Sequence, residues 1–247
     1  MKLWLMLAGP VVLVSATGCN KSLQQRAERG DVDAQYALGY MYDTGEGVPE
    51  DNPEAAKWYR RAAVQGHAQA QLNLGIMLDE GEGVLTNDVE AVKWYRKAAE
   101  QGNAVAQYNL GLMYRVGEGT AADDAEAVRW YRMAAGQGHT NAQIRLGSMH
   151  DDGLGVPEDD VRAMEWFRKA ANKGNGNAQN NVGMMYINGE GVPQDYVLGY
   201  AWLTAAAANG CADAEENKNI IKSDMTGSQL SQAEKKASDL QKRYPSQ

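Results

Sequence analysis

The sequence has few of the residues from which disulfide frameworks, metal sites and catalytic centres are built. Its 247 residues include only two cysteines, Cys19 and Cys211, which sit in very different sequence contexts and do not suggest a disulfide framework. The three histidines, His67, His139 and His150, are spread out, and no Cys-x-x-Cys or His-Glu-x-x-His motif occurs. Ser-x-x-Lys and Gly-x-Ser-x-Gly are also missing. The sequence therefore predicts no catalytic residue, no metal site and no cofactor.

Basic residues are outnumbered, since the chain has 24 Lys and Arg against 32 Asp and Glu. Proteins that bind duplex nucleic acid neutralise phosphates with clustered basic residues, so the acidic balance argues against a nucleic-acid partner. The hydrophobic content of 44% is that of a folded chain. A mean hydropathy of −0.53 favours a thin, two-layer fold with much polar surface.

The amino terminus has the pattern of a bacterial export signal. Lys2 precedes an apolar run, Leu3 to Val14, that is shorter than the ~20 residues of a membrane-spanning helix. Ala16-Thr17-Gly18-Cys19 resembles the lipobox of bacterial lipoproteins, with Ala16 where leucine is usual. We predict a signal peptide at residues 1–18, a lipid anchor on Cys19 and a linker at residues 19–22. The alternative is cleavage by an ordinary signal peptidase, which would release a soluble periplasmic protein.

The predicted anchor would place the protein in the cell envelope. Asn20 is not the aspartate that tends to retain lipoproteins at the inner membrane of enteric bacteria. The resemblance therefore favours the periplasmic side of the outer membrane.

One sequence frame recurs five times, and every step is 36 residues without insertion or deletion. Each copy carries an Ala-Gln pair followed by a tryptophan. The alanines and tryptophans are Ala34, Ala70, Ala106, Ala142, Ala178, Trp58, Trp94, Trp130, Trp166 and Trp202. A period of this length marks a solenoid or array in which each unit contacts its neighbours.

Each copy predicts two helices joined by a turn. Ala106, Leu110 and Met113 fall on one face of the first helix, and Ala127, Trp130 and Tyr131 on one face of the second. Residues that suit N-caps recur before both helices: Asp31, His67, Asn103, His139 and Asn175, then Asp51, Asn87, Asp123, Asp159 and Asp195. Glutamates three residues after the second cap predict capping boxes at Glu54, Glu90 and Glu126.

Two sets of glycines have different predicted roles. The first set lies inside the first helix, where glycine costs roughly 1 kcal/mol relative to alanine, so we predict close approach by the Trp-Tyr pair of the second helix. Its members are Gly39, Gly75, Gly111, Gly147 and Gly183. The second set forms Gly-x-Gly pairs in the turn, such as Gly117 and Gly119, in which one glycine is expected to be left-handed.

The tryptophans have two interpretations. Their spacing matches the apolar stripe of the second helix, which predicts that they belong to the core. The alternative is an aromatic box that binds a ligand.

These motifs together resemble the Sel-one-like repeat family, which is related to the tetratricopeptide repeat. The resemblance rests on Ala-Gln-x-x-Leu-Gly-x-Met-Tyr, Gly-x-Gly-Val-Pro and Asp-x-x-x-Ala-x-x-Trp-Tyr-Arg-Lys-Ala-Ala. It implies an all-α, right-handed α/α superhelical solenoid with five full repeats at residues 23–212 and a C-terminal helical cap at residues 213–247. Two departures are Thr120-Ala121-Ala122 in the third turn and His150 in a tyrosine column.

A functional surface is expected on the first helices, because solenoids bind partners on their concave side. The third residue after each repeat alanine is the best candidate, and it predicts a ladder for an extended polypeptide formed by Asn73, Asn109, Arg145 and Asn181. The alternative is that these residues are polar filler. Cys211 occupies the first N-cap column, which indicates either a thiol at a helix N-terminus or erosion of the last repeat.

The sequence thus favours a non-enzymatic scaffold or adaptor of the cell envelope that binds protein partners. One alternative is an envelope protein that interacts with peptidoglycan or β-lactams. Another is an exported factor that engages host proteins. Repeat identity does not name the partner.

Overall fold

The structure, a computed structural model, describes residues 16–245, with side chains from Ser22 onward. The predicted signal peptide at residues 1–18 lies almost wholly outside this range, and the Cys19 side chain lies outside the described side chains. Within the described range every regular element is an α-helix, thirteen in all. The chain forms two compact units, Met1–Ala98 and Ala99–Gln247.

The first unit contains a leading helix and two helix pairs. Helix α1 packs on α2, and α3 packs on both α2 and α4. The bounds are α1 Ala16–Glu28, α2 Val32–Thr44, α3 Asn52–Val64, α4 Ala68–Glu80 and α5 Asp88–Glu100, whose last two residues belong to the second unit.

The second unit contains three helix pairs and two further helices. Each helix from α6 to α11 packs on the next, and α12 and α13 both pack on α11. The ring of Tyr244, just after α13, stacks on Trp202 with centroids 5.9 Å apart. The bounds are α6 Ala104–Val116, α7 Asp124–Gly136, α8 Thr140–Asp151, α9 Asp160–Ala171, α10 Gly176–Asn188, α11 Tyr196–Ala208, α12 Asp213–Lys222 and α13 Gly227–Arg243.

The helices begin where the cap residues predict. Asn103 accepts a hydrogen bond from the backbone N–H of Ala106 at 3.0 Å, and Asp123 accepts from that of Glu126 at 3.0 Å. His67 and His139 cap α4 and α8 through ring nitrogen Nδ1, at 3.1 and 3.2 Å. All ten predicted N-caps make such a bond.

The predicted capping boxes are replaced by ion pairs. The Glu54 carboxylate accepts from Lys57 at 2.5 Å, Glu90 binds Arg60, and Glu126 accepts from Arg129 at 3.2 Å. The reason is that the backbone N–H of each cap residue already has an acceptor, so the glutamates bind basic side chains instead. The N–H groups of Asp51, Asn87 and Asp123 donate to the carbonyls of Tyr42, Leu78 and Tyr114, each at 2.8 Å.

The glycines inside the first helices confirm the predicted close approach. The ring of Tyr95 lies over Gly75, where an added Cβ would come within 2.7 Å of the ring, and Phe167 lies over Gly147 at the same distance. In the turns both glycines of a pair have positive φ, as at Gly153 (66°) and Gly155 (69°), whereas the sequence predicts only one. The second glycine is needed because a Cβ on Gly155 would lie 2.3 Å from the Asp124 carbonyl oxygen.

The tryptophans pack mainly as core residues. Trp58, Trp94, Trp130 and Trp202 are each at most 8% exposed. Trp166 is the exception: it is half-buried, and the Lys169 ammonium lies 3.6 Å from its ring centre. The buried positions favour the core interpretation over a ligand box.

A column of buried glutamines joins each first helix to the helix before it. The Gln107 Nε2 atom donates to the Ala99 carbonyl at 3.0 Å, and its Oε1 atom accepts from Gln137 at 2.8 Å. The same side-chain-to-carbonyl bond is made by Gln35, Gln71, Gln143 and Gln179. The fold class is therefore the predicted all-α solenoid of helix-turn-helix repeats.

Candidate functional site

The predicted ladder residues all lie on first helices at positions that stay accessible. Asn73 lies on α4 of the first unit, while Asn109, Arg145 and Asn181 lie on α6, α8 and α10 of the second. The three asparagines are half-buried and Arg145 is exposed. Within each unit the ladder residues therefore present polar side chains to a binding partner, while the apolar residues of the same helices pack in the core.

In the first unit the ladder residue lies beside a tyrosine hydroxyl. The Tyr59 hydroxyl donates to Asp43 Oδ2 at 3.0 Å, and Asn73 is also hydrogen-bonded to this hydroxyl. Asn73 Oδ1 accepts from Gln69 Nε2 at 3.0 Å. Burial, followed by the negative charge of Asp43, raises the pKa of Tyr59 far above its usual range, so the hydroxyl remains a donor.

The second repeat has the same tyrosine–carboxylate pair. The Tyr95 hydroxyl donates to Asp79 Oδ2 at 3.1 Å. Asp43 and Asp79 each follow the repeat glycine by four residues, which is about one helical turn. Because the ring packs across that glycine, the next turn of the first helix meets the hydroxyl.

The surroundings of the tyrosine hydroxyl differ in the third repeat. Arg115 stands where the first repeat has Asp43, and Arg145, in the repeat that follows Tyr131, stands where Asn73 stands in the repeat that follows Tyr59. Tyr131 is fully buried, and its hydroxyl has no hydrogen-bond partner among the described residues. Burial and the nearby Tyr108 raise the pKa of Tyr131, while Arg145 and Arg115 act in the opposite direction. Two cationic side chains therefore stand beside an unpaired donor.

The fourth and fifth repeats lack this hydroxyl, because Phe167 and Leu203 replace the tyrosine. Asp151 keeps the acidic position of the fourth repeat. Burial and then the nearby Glu190 raise the pKa of the Asp151 carboxyl. Asn181 in this part of the second unit has no equivalent of the Tyr59 hydroxyl beside it.

Sequence reasoning identified the ladder column but missed the tyrosine and the residue four positions after the repeat glycine. The missed column is Asp43, Asp79, Arg115, Asp151 and Ile187. A signal was present in the sequence: this column changes from acid to base in the third repeat, and the ladder column changes from asparagine to Arg145 in the next repeat.

Cys211 lies in an apolar setting. It is 7% exposed and packs with Ala206 and Ala214. Helix α12 begins at Asp213 with Ala212 as its N-cap, so Cys211 precedes the cap. The location favours the interpretation of an eroded, buried repeat position over a thiol that caps a helix.

Within the described residues, no group of three or more His, Cys, Asp or Glu side chains is arranged to hold a metal ion. None of the described helices combines the length and apolar character required to cross a membrane.

Comparison with known families matches the Sel1 repeat to five consecutive segments, at residues 32–67, 68–103, 104–139, 140–175 and 176–211. Comparison with curated proteins gives no match.

Two solved structures are similar over most of the chain. One is c5321, described as a protective antigen of uropathogenic Escherichia coli strains with an SLR fold, at 36% identity and a TM-score of 0.82 over 91% of this chain. The chain spans about half of that protein, 49% of its length. The other is a Sel1 repeat protein from Oxalobacter formigenes, at 36% identity and a TM-score of 0.75, covering 82% of this chain and 89% of that one.

Proposed function

Because the chain belongs to the Sel1 repeat family, whose repeats generally serve protein–protein interaction, we propose that it is a non-enzymatic scaffold of the cell envelope that binds partner polypeptides on its first helices. The same fold hosts many partners, so the argument for a binding surface must come from particular residues.

The polar column of the first helices carries this proposal. In the second unit Asn109 and Asn181 are half-buried, and Arg145 is exposed. An asparagine amide both donates to and accepts from a peptide backbone, and an arginine binds a carboxylate through two parallel hydrogen bonds. Asn73 offers the same chemistry in the first unit. The alternative is that these residues only solvate an exposed helix face.

A crosslinking pull-down from intact envelopes tests the binding surface. The bait is the full chain, and the comparison is the double variant Asn109→Ala, Arg145→Ala. We expect the double variant to lose the specific partners that the wild type captures. Lys235→Ala on α13 is the matched control, since it removes an exposed charge outside the ladder. Equal capture by the wild type and the double variant would contradict the proposal.

A non-enzymatic role is tested separately with labelled penicillin. We expect no covalent labelling of the folded protein, because no Ser-x-x-Lys motif is present in the sequence. A covalent adduct that survives denaturation would support the alternative of a β-lactam-interacting envelope protein.

We propose further that Cys19 anchors the protein at the periplasmic side of the outer membrane. Ala16-Thr17-Gly18-Cys19 supports this proposal. The wild type should incorporate a labelled fatty acid and float with outer-membrane vesicles, and Cys19→Ala should do neither. Recovery of unlabelled wild type in the soluble periplasmic fraction would instead support an ordinary signal peptidase.

Exposure to a host is the second candidate role. The similar Escherichia coli protein is described as a protective antigen, which favours a surface that antibodies reach. Antibody binding to intact cells tests this role. Staining only after the outer membrane is permeabilised would exclude it.

A further inference from the structure

We propose that Tyr131, Arg115 and Arg145 form a site for a carboxylate of the bound polypeptide. The partner would supply the acceptor that the protein itself supplies in its first two repeats. The inference rests on the proposed function, because it assigns one contact of the polypeptide-binding face.

The first two repeats provide the template for this site. A carboxylate oxygen lies 3.0 Å from the hydroxyl of Tyr59 and 3.1 Å from that of Tyr95. In both repeats the carboxylate comes from the first helix, one turn after the glycine on which the ring packs. A carboxylate therefore fits against this hydroxyl when the ring is packed in this way.

The third repeat keeps the ring and loses the carboxylate acceptor. A Cβ on Gly111 would lie 2.6 Å from the Tyr131 ring, so the tyrosine is seated as in the other repeats. Arg115 and Arg145 replace the equivalents of Asp43 and Asn73, and a guanidinium has no acceptor atom. A fully buried hydroxyl is thus left with a donor that nothing among the described residues accepts. Buried polar groups are rarely unpaired, so this one requires an explanation.

Neither arginine forms an ion pair among the described residues. Among the ion pairs of residues 22–245 none includes Arg115 or Arg145. Both arginines lower the pKa of Tyr131, each by more than the nearby Asp124 raises it. Two cations and one hydroxyl donor together match a single carboxylate, whose two oxygens accept several hydrogen bonds.

A polypeptide is the source that the position favours. Arg145, on α8, is itself a member of the ladder column, so a chain bound along that column would pass the site. The carboxylate is either a chain terminus or an Asp or Glu side chain. The hydroxyl oxygen has no solvent contact, so a ligand reaches it only when a neighbouring side chain moves. Arg115 and Arg145 are both exposed and have long side chains that can make this movement.

Peptide selection with the full folded protein tests the site. Two random libraries are used, one displayed with free carboxyl ends and one with blocked ends. We expect selected peptides to share a carboxylate, at the end in the first library or at a fixed Asp or Glu in the second. Amidation of the end, or Glu→Gln, should weaken binding by about tenfold to a hundredfold, which is the worth of charged hydrogen bonds.

Variants of the protein identify the contact. Arg115→Asp gives Tyr131 the carboxylate acceptor that the tyrosines of the first two repeats have, so we expect this variant to fold normally. Its affinity for the selected peptides should fall by a similar factor. Tyr131→Phe should weaken binding less, because it removes only the hydroxyl; Phe167 shows that the ring fits this packing. Lys235→Asp on α13 makes the same charge change outside the site and should leave binding unchanged.

The outcomes separate the inference from the proposed function. Selection of peptides that share no carboxylate, and whose affinity is unchanged in Arg115→Asp, would overturn the carboxylate site while supporting polypeptide binding. Selection of no peptide from either library would count against both.

Discussion

The Tyr131 ring packs directly on the backbone of Gly111, so that a Cβ at residue 111 would lie 2.6 Å from its Cε1 atom. Real Cβ contacts are longer than this, so the ring would have to move. Helix propensity alone favours alanine over glycine by roughly 1 kcal/mol. The two effects have opposite signs, which makes this position a clear test of which dominates.

We predict that Gly111→Ala lowers the free energy of unfolding by about 1–3 kcal/mol, the usual cost of overpacking a core. Gly136→Ala is the matched control, since Gly136 also lies in a helix but has nothing within 4 Å of an added Cβ. The control should gain roughly 0.5–1 kcal/mol. Urea unfolding followed by helical circular dichroism measures both, and equal gains would disprove the close approach.

The tyrosine hydroxyls of the first and third repeats should differ in their contribution to stability. Tyr59→Phe removes the hydrogen bond to Asp43 and should cost about 1 kcal/mol. Tyr131→Phe removes a buried donor without a partner and should be neutral or stabilising by up to about 1 kcal/mol. Thermal unfolding of the two variants gives the comparison; a loss of similar size in both would mean that the Tyr131 hydroxyl has an acceptor in solution.

Much of the fold follows from the sequence because its signals are local and repeated. The caps and the 3.6-residue apolar stripes act within single helices, and the ring over Gly75 is encoded by one glycine and one aromatic per repeat. The second turn glycine was less predictable, since its need arises from the backbone of the preceding repeat, as at Gly155 and Asp124. The capping boxes failed for a similar reason, because the N–H of each cap residue donates to a carbonyl of the preceding helix, as that of Asn87 does to Leu78.

The candidate site was only half predictable. Arg145 was identified from its place in the ladder column, but its meaning depends on Arg115 and Tyr131, which lie on two other helices. Neither residue is unusual by itself. The two arginine substitutions become informative only in the folded structure, where the Tyr131 ring packs on Gly111 and both arginines act on its hydroxyl.

Stability should fall with acid because two histidines cap helices as neutral rings. Nδ1 of His67 and of His139 accepts a backbone N–H, which a protonated ring cannot do. Burial lowers the pKa of both below the ordinary value of 6.5; Asp33 opposes this for His67, and Lys173 adds to it for His139. The unfolded chain then binds more protons, so the stability present above pH 6.5 is lost as the pH falls through the lowered pKa values.

Asparagine variants test this pH dependence. Asn103 and Asn175 cap the equivalent helices, so His67→Asn with His139→Asn should keep the caps. We expect the double variant to lose less stability than the wild type between neutral pH and pH ~5. His150 remains in both proteins and cancels in the comparison. Parallel curves of stability against pH would contradict a role for the two caps.

Among the described residues, the Oε1 atom of one buried glutamine, Gln143, has no donor, and a single substitution should supply one. Gln65 and Gln137 donate to the Oε1 atoms of Gln35 and Gln107 at 2.7 and 2.8 Å. The equivalent residue in the fourth repeat is Lys173, whose ammonium donates to the Gly138 carbonyl, and Gln143 Oε1 has no partner. Lys173→Gln should therefore raise the free energy of unfolding by about 1 kcal/mol, the usual cost of an unpaired buried acceptor.

The reverse change in the third repeat provides the control for this last prediction. Gln137→Lys should recreate the unpaired acceptor at Gln107 and cost about 1–3 kcal/mol. The two variants exchange lysine and glutamine in opposite directions, each at an exposed or half-buried position. Opposite changes in their free energies of unfolding in urea would therefore isolate the contribution of the side-chain amide bond. If neither substitution changes the free energy of unfolding, the amide pairs contribute nothing to stability. The buried glutamine column is then held only by its bonds to the backbone carbonyls.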